Sequence, residues 1–286
     1  MKSICLSVFL LTIFLSVGCK KYNTENHNSE VKEEFHPKRE EGRPPPPRGP
    51  RRNIDKNRPE NFITTNDPIN NLKLHSAFKE FDVDQTDIYI DDINVVIEST
   101  GLPNHTTPYW GDGHPLYIEP ISADKKHMTP TTLQNTHYDS TMLLRVAKNP
   151  KKANKPSSTS MGAIGISVSG AAIFNDQEGN GALSDNVASG LDYAGGHIGP
   201  AEYHYHLEPK PITYNDDKLV GIISDGFFIY GRKCNSTGTY PTDLDVSGGH
   251  THKTQHSDKE EYHYHIINEL YGNTCLLYTS PSPRDA

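Results

Sequence analysis
Cysteine is the scarcest reactive chemistry in this chain. Four occur among 286 residues, and Cys5, Cys19 and Cys275 lie near the ends. Cys234 is left alone in the middle, so no disulfide can form within that region. It either keeps a free thiol or pairs with a cysteine lost along with the native C-terminus, and the second is the expectation. Long apolar runs are also lacking. The stretch from Ile4 to Val17 is the exception, and it is too short for a comfortable membrane span. A net charge of -8 and a mean hydropathy of -0.68 exclude a membrane-spanning core and a basic nucleic-acid surface. Gly-x-Ser-x-Gly, phosphate-loop, dinucleotide-binding and His-Glu-x-x-His motifs are all missing, so no familiar reaction class can be named. Gly, Pro, Asn, Asp, Ser and Thr are plentiful and punctuate the chain throughout, the pattern of strands with long loops.

The ends differ in character from the middle. Met1 to Ser3 lead into the apolar run, which closes in Leu15-Ser16-Val17-Gly18-Cys19. A small residue before a cysteine at that place reads as a bacterial lipoprotein signal over residues 1–19, with Cys19 as the lipidated residue and a cleaved secretory signal as runner-up. Residues 20–60 combine Glu, Lys and Arg with Pro44-Pro45-Pro46-Pro47 and almost no aliphatic side chains. Such a segment cannot bury enough apolar surface to fold and reads as an extended tether. The expected setting is the cell envelope, with the membrane as partner through the lipid, on the periplasmic side or at the cell surface. Residues 275–286 read as a translated sequencing adapter, which confines the folded domain to residues 61–274.

Within that domain one stretch is written twice, as Tyr203-His204-Tyr205-His206 and Tyr262-His263-Tyr264-His265. The strict alternation is that of a strand with tyrosines on one face and histidines on the other. Each copy closes a longer repeat, over about residues 163–209 and 219–266. Gly165 to Asn175 parallels Gly221 to Gly231, each a hairpin turning at Ser169-Gly170 or Asp225-Gly226. Leu191-Asp192 through Gly195-Gly196-His197 parallels Leu244-Asp245 through Gly248-Gly249-His250. The duplication predicts a mainly β fold: one sandwich or barrel-like domain with a pseudo-twofold axis and long loops. Upstream, Asp87 to Thr100 predicts a strand pair, Ser140 to Val146 a strand, and Asn71 to Phe81 a helix.

These motifs, with Gly101-Leu102-Pro103-Asn104-His105, Asn149-Pro150, Lys155-Pro156, Gly162 to Gly165 and Asp225-Gly226-Phe227, resemble the YHYH family over about Asp87 to Ile266. This mainly exported bacterial family takes its name from the tetrapeptide, typically present twice. The resemblance implies an exported β-rich domain and supplies no reaction. Phe228 stands where the family often has proline, and the segment after the second tetrapeptide is absent.

Eight of the 15 histidines fall between His197 and His265, a density that points to transition-metal chemistry. Histidines at i and i+2 on a strand lie about 6 to 7 Å apart at the backbone, close enough for both rings to reach one ion. Strands near a twofold axis would bring His204, His206, His263 and His265 into one shared site for Zn or Cu, with His197 and His250 as further ligands and Asp192 or Asp245 orienting a ring. His105, His114 and His137 read as loop or packing residues. Three other readings stand beside this one. The histidines are purely structural in a surface binding module, whose Tyr109, Trp110 and Tyr117 would form a platform for a glycan or protein partner. A metal-dependent enzyme would draw its base from Asp225, Glu202 or Glu261. Asp176, Asp185, Asp243 and Asp245 would hold calcium in loops.

Overall fold
The structure is a computed structural model that describes residues 74–91, 93–120, 132–133, 140–178, 181–183, 185–199, 202–268, 270–271 and 274–275. The signal, the lipidation site Cys19, the tether, His137 and the tail from 276 lie outside the described residues. Among those described, no helix is long and apolar enough to cross a membrane.

Two sheets carry the fold. Strands β1 (Thr86–Asp91), β2 (Asn94–Ser99) and β3 (Met142–Ala147) form an antiparallel meander, as the period-two pattern predicts. The larger sheet contains β4 (Ala163–Ser167), β5 (Ala172–Phe174), β8 (Gly196–Ile198), β9 (Tyr203–Tyr205), β10 (Leu219–Ile223), β11 (Phe228–Tyr230), β12 (Gly249–Thr254) and β13 (Ser257–His265), with the short β6 (Gln177–Glu178) and β7 (Gly181–Ala182) paired as a separate ladder. Its order is β12-β13-β11-β10-β4-β5-β9-β8. The eight-stranded sheet is open, so of the two architectures expected the barrel is not formed.

The duplication has a visible axis. At the centre, β4 and β10 run antiparallel with Ile166 opposite Ile222, Gly165 opposite Ile223 and Ser167 opposite Gly221. Because Ile166 and Ile222 occupy the same place in the two repeats, that register maps onto itself when the repeats are exchanged. Each repeat then continues outward identically: an antiparallel hairpin, a parallel crossover strand, and an antiparallel outermost strand.

Both faces of the large sheet are covered. On one face Ile166, Ile222, Leu219, Phe228 and Tyr230 pack with Ile88, Val95, Ile97 and Val146 of the meander and with Ala77, Phe78 and Phe81. The segment Ser76–Glu80 is a 3-10 turn and not the longer helix predicted. Phe78 N donates to His75 O, and extended backbone at Phe81 ends the turn after burying only Ala77 and Phe78 within it. On the other face Tyr203, Tyr205, Tyr262 and Tyr264 join Ile164, Ile173, Ile223 and Ile229, with Tyr109, Trp110 and Leu133 closing over them. Burial of Tyr109 and Trp110 at 1% and 4% exposure removes them from any surface platform.

Candidate metal centres
The tyrosine face explains much of the repeated motif. Asp192 Oδ1 accepts hydrogen bonds from Ala194 N and Gly196 N, and Asp245 Oδ1 from Ser247 N and Gly249 N. Each aspartate also accepts from the tyrosine hydroxyl across the strand pair, Tyr203 to Asp192 at 2.8 Å and Tyr262 to Asp245 at 3.0 Å. Gly195 and Gly248 take φ of 74 and 76°, the left-handed region that glycine tolerates. At the following glycine a Cβ would meet that same hydroxyl, at 2.6 Å from Gly196 and 2.4 Å from Gly249. Asp-x-x-Gly-Gly is therefore a turn built to seat a tyrosine. The aspartates cap that turn and do not orient the histidine rings, contrary to the sequence-based expectation.

Beyond the turn, His197 faces His204 across β8 and β9, and His250 faces His263 across β12 and β13. Ring positions are then fixed by backbone carbonyls. His204 Nδ1 lies 3.1 Å from Glu202 O and His206 Nδ1 2.8 Å from Asn175 O. In the second repeat His263 Nδ1 lies 3.0 Å from Glu261 O and His265 Nδ1 2.6 Å from Gly231 O. A carbonyl only accepts, so each Nδ1 carries a proton, and in the neutral tautomer that this selects the lone pair sits on Nε2, which points inward.

Those lone pairs converge. His204 Nε2 is 3.0 Å from both His197 Nε2 and His206 Nε2. His265 Nε2 is 3.1 Å from both His250 Nε2 and His263 Nε2. Ligands about 2.05 Å from a tetrahedral ion lie about 3.3 Å apart, so both sets are near the size such an ion requires. A fourth donor completes each. Glu178 Oε2 is 2.9 Å from His206 Nε2 and 3.8 Å from His197 Nε2, while Cys234 joins His250, His263 and His265, with all ligand atoms within 4.8 Å of one another.

The histidines of the two tetrapeptides are not brought together into one shared site. The twofold axis lies between β4 and β10, which puts β9 and β13 five strand spacings apart, roughly 24 Å along the sheet. There are two centres, one on each flank of the meander-covered face, each made within a single repeat.

Glu178 and Cys234 were missed by sequence reasoning, yet the signal was present. They occupy the same place in the two hairpins, three residues past the matched segments that end at Asn175 and Gly231. Cys234 is a free, buried cysteine grouped with the imidazoles of His250, His263 and His265. Burial raises its thiol pKa, but hydrogen bonds from Ser236 and the charge of His250 outweigh this, and the net shift is downward.

Residues 143–242 match the model of the YHYH protein family. The chain carries a YHYH domain. The matched part of this YHYH domain spans the axis, the whole first centre and Cys234, and stops before His250, His263 and His265. Neither a curated protein nor a solved structure matches the chain.

Burial disfavours charge on His197, His204, His263 and His265. His197 and His263 are each lowered to about 3 and His265 to about 4, by burial first and in the first two by neighbouring histidines next, while Glu178 is lowered to about 2 by its hydrogen bond with the histidines. His105 packs on the tyrosine face. Its Nδ1 donates to Thr106 O and its Nε2 accepts from Tyr205 at 2.6 Å. His114 stacks on Trp110 with ring centroids 4.0 Å apart. Of the candidate bases, Asp225 accepts from Tyr264 and Phe227 N, and Glu261 accepts from Thr254 and contacts His75. Asp243 contacts His250 and His252, and Asp245 caps its turn. The side chain of Asp185 lies outside the described residues.

Proposed function
We propose that this protein binds two transition-metal ions of the Zn or Cu class, one in each repeat. The observation that carries the reading is the pair His263 and His265. Both rings have Nδ1 committed to a carbonyl, both are held neutral by burial, and their Nε2 atoms stand 3.1 Å apart. Two lone pairs at that distance repel, and a cation between them turns the repulsion into coordination. The first repeat supports the same reading with the same carbonyl contacts.

Elemental analysis of the purified full chain tests this, with two ions per chain expected after equilibration with Zn2+. His204→Ala with His206→Ala should leave one ion, as should His263→Ala with His265→Ala. An unaltered metal content in both double variants would refute the reading.

The proposed setting is the bacterial envelope, with Cys19 as a lipid anchor and the segment before the domain as a tether. The apolar run ending at Cys19 and the proline- and charge-rich composition after it support this. Labelling with a radioactive fatty acid should mark the full-length protein and not Cys19→Ser; equal labelling of both would refute the anchor.

A further inference from the structure
The two centres differ in the ligand that the duplication does not copy. Resting on the reading that both hold metal, we infer that the first centre (His197, His204, His206, Glu178) exchanges its ion and opens it to small oxygen ligands, whereas the second (His250, His263, His265, Cys234) keeps its ion as a permanent fastener.

Four observations carry this assignment. The first is exposure: the Glu178 side chain is 28% exposed, whereas Cys234 is 0% exposed. A ligand that solvent can reach is the one that water or another carboxylate can replace, and an open fourth position separates working sites from closed structural ones.

The second is anchorage. Cys234 N donates to Thr239 O, Gly238 N donates to Cys234 O, and the Ser236 hydroxyl lies 3.1 Å from Sγ, so the thiol sits in a closed loop. Glu178 sits on a two-residue ladder, paired only with Gly181 in that ladder.

The third is support of the ring on the outermost strand. Asp243 lies 3.0 Å from His250 Nδ1, and a carboxylate on the far nitrogen fixes the tautomer and strengthens the ligand. The equivalent place in the first repeat is Gly190, which offers no side chain to His197. The fourth is donor chemistry, because a thiolate holds Zn or Cu(I) more tightly than a carboxylate does.

A further contrast identifies what the first centre would admit. Asp176, two residues before Glu178, has Oδ1 buried with no hydrogen-bond partner among the described residues, and it is close enough to His206 for their charges to interact. An incoming water or other protonated oxygen donor would find an acceptor beside the displaced Glu178. The same place in the second repeat is Arg232, which is held by Asp216 at 2.5 Å.

The test uses the full chain loaded with Co2+ and challenged with excess chelator. Two release phases are expected, separated by about tenfold or more. The thiolate-to-cobalt charge-transfer band should decay only with the slow phase. E178C should slow the fast phase and C234E should speed the slow one. A single rate for both ions, or a charge-transfer band that leaves with the fast phase, would overturn the inference while leaving metal binding intact. Failure to load any ion would overturn both readings. Should C234E not fold, the band and the two rates of the unaltered protein decide the matter alone.

Discussion
The two halves of the large sheet share a backbone plan and differ in chemistry. From Ile166 and Ile222 outward, strand order, register, turn glycines, carbonyl contacts and the three histidines repeat. Around that frame Glu178 replaces Cys234, Gly190 replaces Asp243, and Asp176 replaces Arg232. The strands, turns and carbonyl contacts that position the tetrapeptide imidazoles are copied, and what sets the lability of an ion is not. The comparison teaches that geometry and reactivity are carried by different residues here, so each can be altered alone.

The largest expected effect comes from removing a centre. His263→Ala with His265→Ala should abolish one ion and lower the melting temperature by about 10 °C or more, since several kcal/mol of linked binding are lost and each is worth about 2–4 °C in a domain of this size. His204→Ala with His206→Ala should abolish the other ion with a smaller thermal loss. Equal losses in calorimetry would break the distinction between a fastener and an exchange site.

Next comes the axis itself. A Cβ on Gly221 would meet Ile166 O at 2.3 Å, and one on Gly165 would meet Ile222 O at 2.5 Å. Backbone cannot yield cheaply, so Gly221→Ala and Gly165→Ala should each cost on the order of 3 kcal/mol in denaturant titrations. Because the two positions are symmetry mates, the costs should agree. A tolerated alanine at either would contradict the register.

Acidification is the third lever. In the metal-free chain His105, His197, His263 and His265 are held at about 4, 3, 3 and 4, burial being the main cause. Their folded values lie below the ordinary 6.5, so unfolding takes up protons and stability falls as pH drops from about 6.5 toward 4. Asp192 acts in the opposite sense. Burial pushes its carboxyl up to about 6, so its contribution is present at low pH and lost as pH rises through that value. In the second repeat Asp245 faces Lys152 and is net lowered, although burial alone would raise it. Thermal melts should therefore weaken below pH 6.5, and more steeply in Asp192→Asn. A melting temperature independent of pH over that window would contradict the neutral, buried assignment.

The smallest expected effect is that of Asp243→Asn. It should reduce affinity at the second centre by about 10- to 100-fold and leave the first unchanged, as read by competition with a chromogenic chelator.

Much of this was legible in the sequence, and the limits have physical causes. Strict alternation in Tyr203 to His206 and Tyr262 to His265 fixed which side chains share a face, because a strand's period is two. The paired hairpins and Asp-x-x-Gly-Gly turns were equally readable. The placement of the axis was not. It depends on β4 pairing with β10 and on β5 pairing in parallel with β9, long-range choices that local pattern does not encode. An axis beside β9 and β13 would have produced one shared site. An axis beside β4 produces two. Glu178 and Cys234 escaped notice because a glutamate and a cysteine look unrelated until the hairpin alignment is carried three residues further. Tyr109 and Trp110 were misjudged as a surface platform because aromatic loop residues can equally close over a sheet, as these do.

The most direct test of two separate centres is anomalous diffraction from crystals of the Zn-loaded full chain, collected at the zinc absorption edge. The account predicts two peaks of anomalous density, roughly 24 Å apart along the sheet, one among His197, His204 and His206 and one among His250, His263 and His265. A single peak equidistant from both tetrapeptides, or none at either cluster, would contradict it.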